Sequence, residues 1–406
     1  WCPVSRIDDL IRDLCPDGVE YKPLGKVARY SPQKVSAEDI NSTTFVGVDN
    51  LLSQKRGRVN ATHTPNTSTL TAYHPGSILL GNIRPYLKKV WLADRPGGCS
   101  GDVLAIEIKC QYSKLLESRF LYYIISGDPF FAFNQQHAKG SKMPRGDKEA
   151  ILRYPIPVPP LEVQQEITRT LDRFTNLEAA LEAELEVRDR QYRYYRTQFL
   201  KLPKDPAIHW VPLGSVSEIR SGWGFPKNKQ GNTTGEIPFY KVSDMNLRGN
   251  EVTMRSASNY IDISTAEQLK TKPAPAGTTI FPKIGATLRT NKKRILSHTS
   301  AYDNNIMGLI PTPQINPRFL YYWMQEVDLT AIANDSGAVP SIRKSDMENT
   351  PFPLLPINEQ HYIVSILDKF DSFVNDLTSG LPAELEARRK QYEYYRDRLL
   401  TFPEKK

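Results

Sequence analysis

Two long stripes of apolar residues at helical spacing dominate the hydrophobic pattern. The first runs Leu161, Ile167, Leu171, Phe174, Leu177, Leu181, Leu185, Tyr192, Tyr195 and Phe199, with gaps mostly of three and four. Pro159-Pro160 bars an earlier start, and Pro203 marks a stop. About 40 residues at 1.5 Å each predict a helix of roughly 60 Å. The second stripe repeats the first as Ile357, Ile363, Leu367, Phe370, Leu377, Leu381, Leu385, Tyr392, Tyr395 and Leu399. Between Phe370 and Ala383 it holds thirteen steps against nine between Phe174 and Ala183, the stutter of a coiled-coil repeat. That stretch contains Gly380 and Pro382, so a break is expected there, with Ser379 capping a restarted helix and Glu384 in its first turn. Two equal stripes in one chain can bury each other as an antiparallel pair, with a globule at each end of the rod. The plainer alternative is two ordinary core helices of larger domains. The length of the stripes and the charges flanking them (Arg188, Asp189, Arg190; Arg388, Arg389, Lys390) favour the pair.

Outside the stripes the period changes. Thr44–Val48, Ser77–Leu80 and Val103–Ile108 predict strands in the first half, and Ile237–Val242 and Gly277–Phe281 do so in the second. Residues 117–126 and 317–326 predict short helices. The fold class is α+β: two tandem pseudo-symmetric domains separated by two long helices that form an antiparallel coiled coil. Landmarks recur in order. Pro23-Leu24-Gly25-Lys26-Val27 returns as Pro212-Leu213-Gly214-Ser215-Val216, and Arg119-Phe120-Leu121-Tyr122-Tyr123 as Arg318-Phe319-Leu320-Tyr321-Tyr322. Leu171-Asp172-Arg173-Phe174 returns as Leu367-Asp368-Lys369-Phe370, and Gln191–Arg196 as Gln391–Arg396. The expected divisions are 1–155 (first globule), 156–204 (first long helix), 205–352 (second globule) and 353–406 (second long helix). The borders agree while the interiors differ, which suits two related jobs on different targets.

Composition narrows the field. The chain has 406 residues, 53 Lys+Arg against 45 Asp+Glu and a net charge of +8. That mild basic excess fits either ordinary solubility or a polyanionic partner such as nucleic acid. Four cysteines without a CxxC pair make neither a disulfide framework nor a zinc site, so a reducing cytoplasm is expected and no metal. No stretch of about 20 apolar residues is present. Phosphate loops, GxGxxG, HExxH, GxSxG and the Asn-Pro-Pro-aromatic signature of amino-methyltransferases are all absent from the sequence. The six histidines are scattered and read as surface or core residues.

What remains are basic segments mixed with polar and aromatic residues. In the first globule they carry Asn82, Arg84, Tyr86, Lys88 and Lys89, then Lys139, Ser141, Lys142 and Arg145. In the second they carry Trp223, Lys227 and Lys241, then Lys283, Arg289, Asn291, Lys292, Lys293 and Arg294, then Ser341, Arg343 and Lys344. Lys and Arg neutralise phosphates, Arg pairs bidentately with guanine and Asn with adenine. Each residue taken singly also fits a solvated surface; the pattern in both halves favours DNA contact. Tyr194 and Tyr394 face away from the stripes and are candidates for a partner surface, while Tyr195 and Tyr395 lie in the stripes and are expected to pack internally.

The order globule, helix, globule, helix resembles the specificity subunits of type I restriction–modification systems across essentially the whole chain. The opening Ile7–Tyr21 carries the resemblance, as do Gln164-Gln165-Glu166-Ile167 after a Pro-x-Pro, its partner Asn358-Glu359-Gln360, and above all Glu386-Ala-Arg-Arg-Lys-Gln-Tyr-Glu-Tyr-Tyr-Arg396. The first helix departs slightly, with Val163-Gln164-Gln165 where Asn-Glu-Gln stands in the second. The resemblance implies a non-catalytic chain in which each globule reads half of an asymmetric, interrupted DNA site. It implies assembly with two methyltransferase subunits, then with nuclease-translocase subunits. It also implies that S-adenosylmethionine binds those methyltransferases and that this chain binds no cofactor. Two other classes stay open at this point: a nuclease or fused restriction enzyme with a cryptic carboxylate site, and a coiled-coil scaffold that binds only proteins.

Overall fold

The computed structural model describes residues 3–63, 65, 67–200, 208–334, 339–375 and 380–405. It divides into two compact units, 1–179 with 387–406 and 180–386. The division passes through both long helical segments, so each unit owns one piece of each, rather than falling at the globule borders read from sequence.

In the first unit, a four-stranded antiparallel sheet runs in the order 28–30, 103–108, 78–81, 90–92. A second four-stranded sheet runs 34–36, 69–73, 97–99, 45–46, its last pair parallel. Residues 21–23 pair with 155–157 to close the base. The second unit repeats this plan with five strands in the order 217–221, 306–311, 279–282, 294–296, 253–254, a three-stranded sheet, and 209–212 paired with 351–354. Predicted strands and short helices fall within a few residues of the observed ones: 45–46, 78–81, 103–108, 237–240 and 279–282, with helices Ser118–Ile125 and Pro317–Glu326. The fold is α+β as expected.

The repeated landmarks are the seams of the two cores. Leu24 and Val27 are fully buried in one, Leu213 and Val216 in the other. The glycine between them is closely approached: a Cβ on Gly25 would lie 3.1 Å from the Leu152 Cβ, and one on Gly214 3.1 Å from the Glu348 Cβ. Phe120, Leu121, Phe319 and Leu320 present the same helix face to these seams.

The long helix Leu161–Leu200 is continuous, whereas the second segment is two helices, Ile357–Asn375 and Leu381–Leu399. Pro382 sits in the first turn of the later one, where its missing N–H has no intrahelical duty. The expected cap Ser379 lies outside the described residues. In the first unit, Val163, Ile167 and Leu171 are fully buried with Leu399 and Phe402, each apolar side chain contributing about 1.5–3 kcal/mol. There Phe174 stacks on Tyr395 at 5.5 Å, and Arg389 pairs with Glu178 at 2.6 Å. The partner numbers fall as the helix numbers rise, so the pairing is antiparallel. The second unit repeats it, with Phe370 stacked on Tyr195 at 5.4 Å and the Tyr192 hydroxyl 3.4 Å from Asp371. Tyr195 and Tyr395 thus pack against the partner helix, while Tyr194 and Tyr394 are 61% and 62% exposed.

Polar pins fix both helix starts identically. Gln164, fully buried, donates from Nε2 to Leu115 O and Pro159 O, both at 2.7 Å, and accepts from Glu117 N at 2.9 Å. Gln360 donates to Gln314 O and Leu355 O and accepts from Asn316 N at 2.8 Å. About two turns on, Asp172 accepts from Arg119 and Tyr123, and Asp368 from Arg318 and Tyr322. These duplicated contacts satisfy buried polar atoms that would otherwise be costly.

Candidate nucleic-acid interface

In the first unit the chain leaves strand Ile78–Gly81 through a tight turn, Pro85–Leu87, flanked by Arg84 and Lys88. Both are in the left-handed region, at φ 52° and 49°. The later basic segment comes back to this turn. Arg84 N donates to Pro144 O at 2.7 Å, Gly146 N to Asn82 O at 3.1 Å, and Lys139 and Arg145 exchange both backbone bonds at 2.8 Å. Asn82 N donates to Asp102 O at 2.8 Å, which ties in the turn before strand Val103–Ile108. The two basic segments chosen from sequence are therefore one surface. Beside it lies a concavity of about 420 Å³ lined by Val48, Asp49, Arg84, Lys89, Asp102 and Met143.

The second unit builds the same junction bond for bond. Gly285 N donates to Pro340 O at 2.8 Å, Ile342 N to Lys283 O at 2.9 Å, Lys283 N to Asn305 O at 2.8 Å, and Asn334 and Ser341 exchange both backbone bonds. These contacts match Asn82 with Lys283, Arg84 with Gly285, Asp102 with Asn305 and Arg145 with Ser341. One backbone scaffold thus carries two different sets of side chains.

Placement sorts the candidates. Arg84, Tyr86, Lys139, Ser141, Lys142 and Arg145 are exposed in the first unit, as are Lys227, Arg289, Arg343 and Lys344 in the second. Lys139 pairs with Asp147 at 2.6 Å, which raises the lysine and holds the carboxyl down at about 2. Arg145 is braced by Asp102, and Lys344 lies 3.5 Å from Glu348. Trp223 is half-buried against Tyr302 at 5.8 Å. Phe225 stacks on Phe239 at 3.9 Å, and the Lys241 ammonium lies 5.6 Å from the centre of the Phe225 ring with Gln230 Oε1 as its acceptor. Gly222 admits no side chain, because a Cβ there would meet Asp303 O at 2.0 Å. Lys283 donates to the Ser221 hydroxyl at 3.0 Å, and partial burial lowers its pKa.

Several of the candidates also make contacts within the fold, and two of them, Asn82 and Lys293, are buried. Lys293 is fully buried, its ammonium on Val327 O at 2.6 Å, and burial pushes its pKa down to about 7. Arg294 donates to Lys293 O and Met245 O, and burial lowers it as well. The Asn291 carboxamide accepts from Leu329 N at 3.0 Å, and Lys292 donates to Asn246. In the first unit Asn82 is buried, and Lys89 donates to Val48 O at 2.6 Å. Lys88 pairs with Asp128 at 2.7 Å, beside Lys55 and the nearly buried Arg396. Burial works against the Asp128 charge, yet the bonds from Lys88, Lys55 and Arg396 hold that carboxyl well below its usual range. Sequence reasoning missed Asp102, Asp128 and the two glutamines; only the recurrence of Gln164 as Gln360 carried a signal.

Among the described residues, no three His, Cys, Asp or Glu side chains are grouped to hold a metal ion, and no helix is long and apolar enough to cross a membrane. Fold and surface define a protein with two tandem α+β domains, each carrying exposed basic residues and packed on an antiparallel helix pair.

The family described as the type I restriction modification DNA specificity domain matches residues 17–187 and again 209–387. The specificity subunit of the type I restriction enzyme EcoR124I/EcoR124II of Escherichia coli is 30% identical over 401 residues, covering 95% of each chain. Among solved structures, a chain of a type I R-M system shares the fold at TM-score 0.58 and 17% identity, covering 94% of this chain and 97% of that one. The type I S subunit from M. genitalium does so at 0.55 and 14%, covering 94% and 96%. The chain belongs to the type I restriction–modification DNA specificity family.

Proposed function

We propose that this chain is the non-catalytic reading subunit of its system, with each unit contacting one half of an asymmetric, interrupted DNA target. The single observation that carries this is the junction built twice with the same backbone bonds and different side chains, Arg84, Asp102 and Arg145 against Gly285, Asn305 and Ser341. Two copies of one scaffold with exchanged tips suit two different base sequences, and two modest affinities on one chain make a strong bivalent one. Exposed Arg84, Lys142, Arg289, Arg343 and Lys344 supply phosphate contacts. Two methyltransferase subunits dock on the helices, using exposed Tyr194 and Tyr394. Those subunits bind S-adenosylmethionine and methylate adenine, nuclease-translocase subunits join them, and the assembly works in the cytoplasm.

DNA binding by the assembled complex, titrated with salt, tests this. Phosphate contacts give a steep linear fall of log affinity with log salt. A flat dependence favours a protein-only scaffold, and metal-dependent cleavage by this chain alone favours a nuclease.

A further inference from the structure

We propose that Arg145, braced by Asp102, reads a guanine in the half-site of the first unit. This rests on the reading that the first unit contacts DNA. The backbone of Arg145 is fixed on two sides, by both bonds to Lys139 at 2.8 Å and by a bridge to Ile83. Its side chain is fixed on a third. Asp102 Oδ1 accepts from Nε at 3.2 Å and from Nη2 at 3.1 Å, and Asp102 is itself anchored through its carbonyl to Asn82 N. The carboxylate occupies one edge of the guanidinium. The other edge, carrying Nη1, has no partner among the described residues, and the side chain is 57% exposed, while the Asp102 that braces it lines the concavity. That free edge presents two parallel N–H groups, the pattern that pairs with O6 and N7 of guanine. A phosphate contact would gain nothing from the brace, since the carboxylate cancels the charge that attracts a phosphate. A base contact gains from it, because the fork is oriented before DNA arrives and less side-chain freedom is lost on binding. The matching positions in the second unit are Ser341 and Asn305, so this preference belongs to the first half-site alone.

The test sequences methylated adenines in cells carrying the assembled enzyme with wild-type chain, R145A, R145K or D102N. An R343A/K344A variant identifies the half-site of the second unit. The wild-type motif is expected to hold a G–C pair in the half-site of the first unit. R145A then lowers discrimination at that one position by about ten- to hundredfold. R145K loses it too, since an ammonium lacks the fork, and D102N weakens it partially. The unchanged second half-site serves as the folding control. A first half-site without a G–C pair, or an R145A motif identical to wild type, overturns the proposal. A wild-type chain that directs no motif at all overturns the DNA reading and takes this inference with it.

Discussion

Replacing Glu326 should loosen the second unit. Glu326 takes Arg196 Nε at 2.7 Å on one oxygen and the Thr197 hydroxyl at 2.9 Å on the other. The two charged side chains are only 13% and 19% exposed. In Glu326→Ala the Arg196 guanidinium keeps its burial and the face of Tyr192 at 5.4 Å, but loses its counter-charge. Breaking a buried pair from one side costs about 3–5 kcal/mol, and the residual water access at both ends reduces that to roughly 2–4 kcal/mol. Amide hydrogen exchange of helix Pro317–Glu326 in the full chain reads the loss, and a penalty of that size speeds exchange about thirtyfold or more. The double change Arg196→Met with Glu326→Leu should recover most of it, with a coupling energy of about 2 kcal/mol. Exchange less than about threefold faster in Glu326→Ala, or a double variant as poor as the single one, would refute the reasoning.

Other outcomes follow from named contacts. Lys293→Met should raise stability at neutral pH. The folded pKa of Lys293, about 7, lies below the ordinary lysine value of 10.5, so the unfolded chain holds more protons between them and the cost of burying this group fades as pH rises. Melting of both proteins across pH 7–10 should show the gap narrowing; a widening gap contradicts the account. Gly222→Ala should lower stability by roughly 2 kcal/mol or more, because its Cβ meets backbone carbonyls that cannot move aside, and calorimetry reads it. Gln360→Leu leaves Asn316 N and two carbonyls unpaired and should cost about 2–4 kcal/mol by denaturant titration, as should Gln164→Leu. Tyr194→Ala and Tyr394→Ala should change stability by less than about 0.5 kcal/mol while weakening co-purification with methyltransferase subunits.

The architecture was legible where periodicity is strong. The stripes fixed the long helices, because burial of Ile167, Leu171, Ile363 and Leu367 demands helical spacing. The Pro-Leu-Gly and Arg-Phe-Leu-Tyr-Tyr repeats marked both core seams for the same reason. Gly380 and Pro382 foretold the division of the second segment into two helices. The candidate surface was legible only as segments. Residue type placed 82–89 with 139–145, and 283–294 with 341–344, but it could not separate tips from anchors. Lys293 and Arg289 look alike in sequence, yet Lys293, just before strand Arg294–Leu296, is buried and Arg289, in the turn Gly285–Thr290, is exposed. Asp102 and Asp128 were invisible because their value lies in partners distant in the chain, Arg145 for one and Arg396 for the other. The unit boundary inside the long helices was hidden because a continuous stripe carries no mark where its partner changes.

The central claim is that two like scaffolds read two unlike half-sites. It is tested most directly by sequencing methylated adenines in cells with this chain and its partner subunits, with Arg343→Ala/Lys344→Ala, and with the chain deleted. The account predicts one interrupted, asymmetric motif that relaxes in a single half with the double variant and vanishes on deletion. A symmetric or uninterrupted motif, equal relaxation of both halves, or a methylation pattern unchanged by deletion would contradict it.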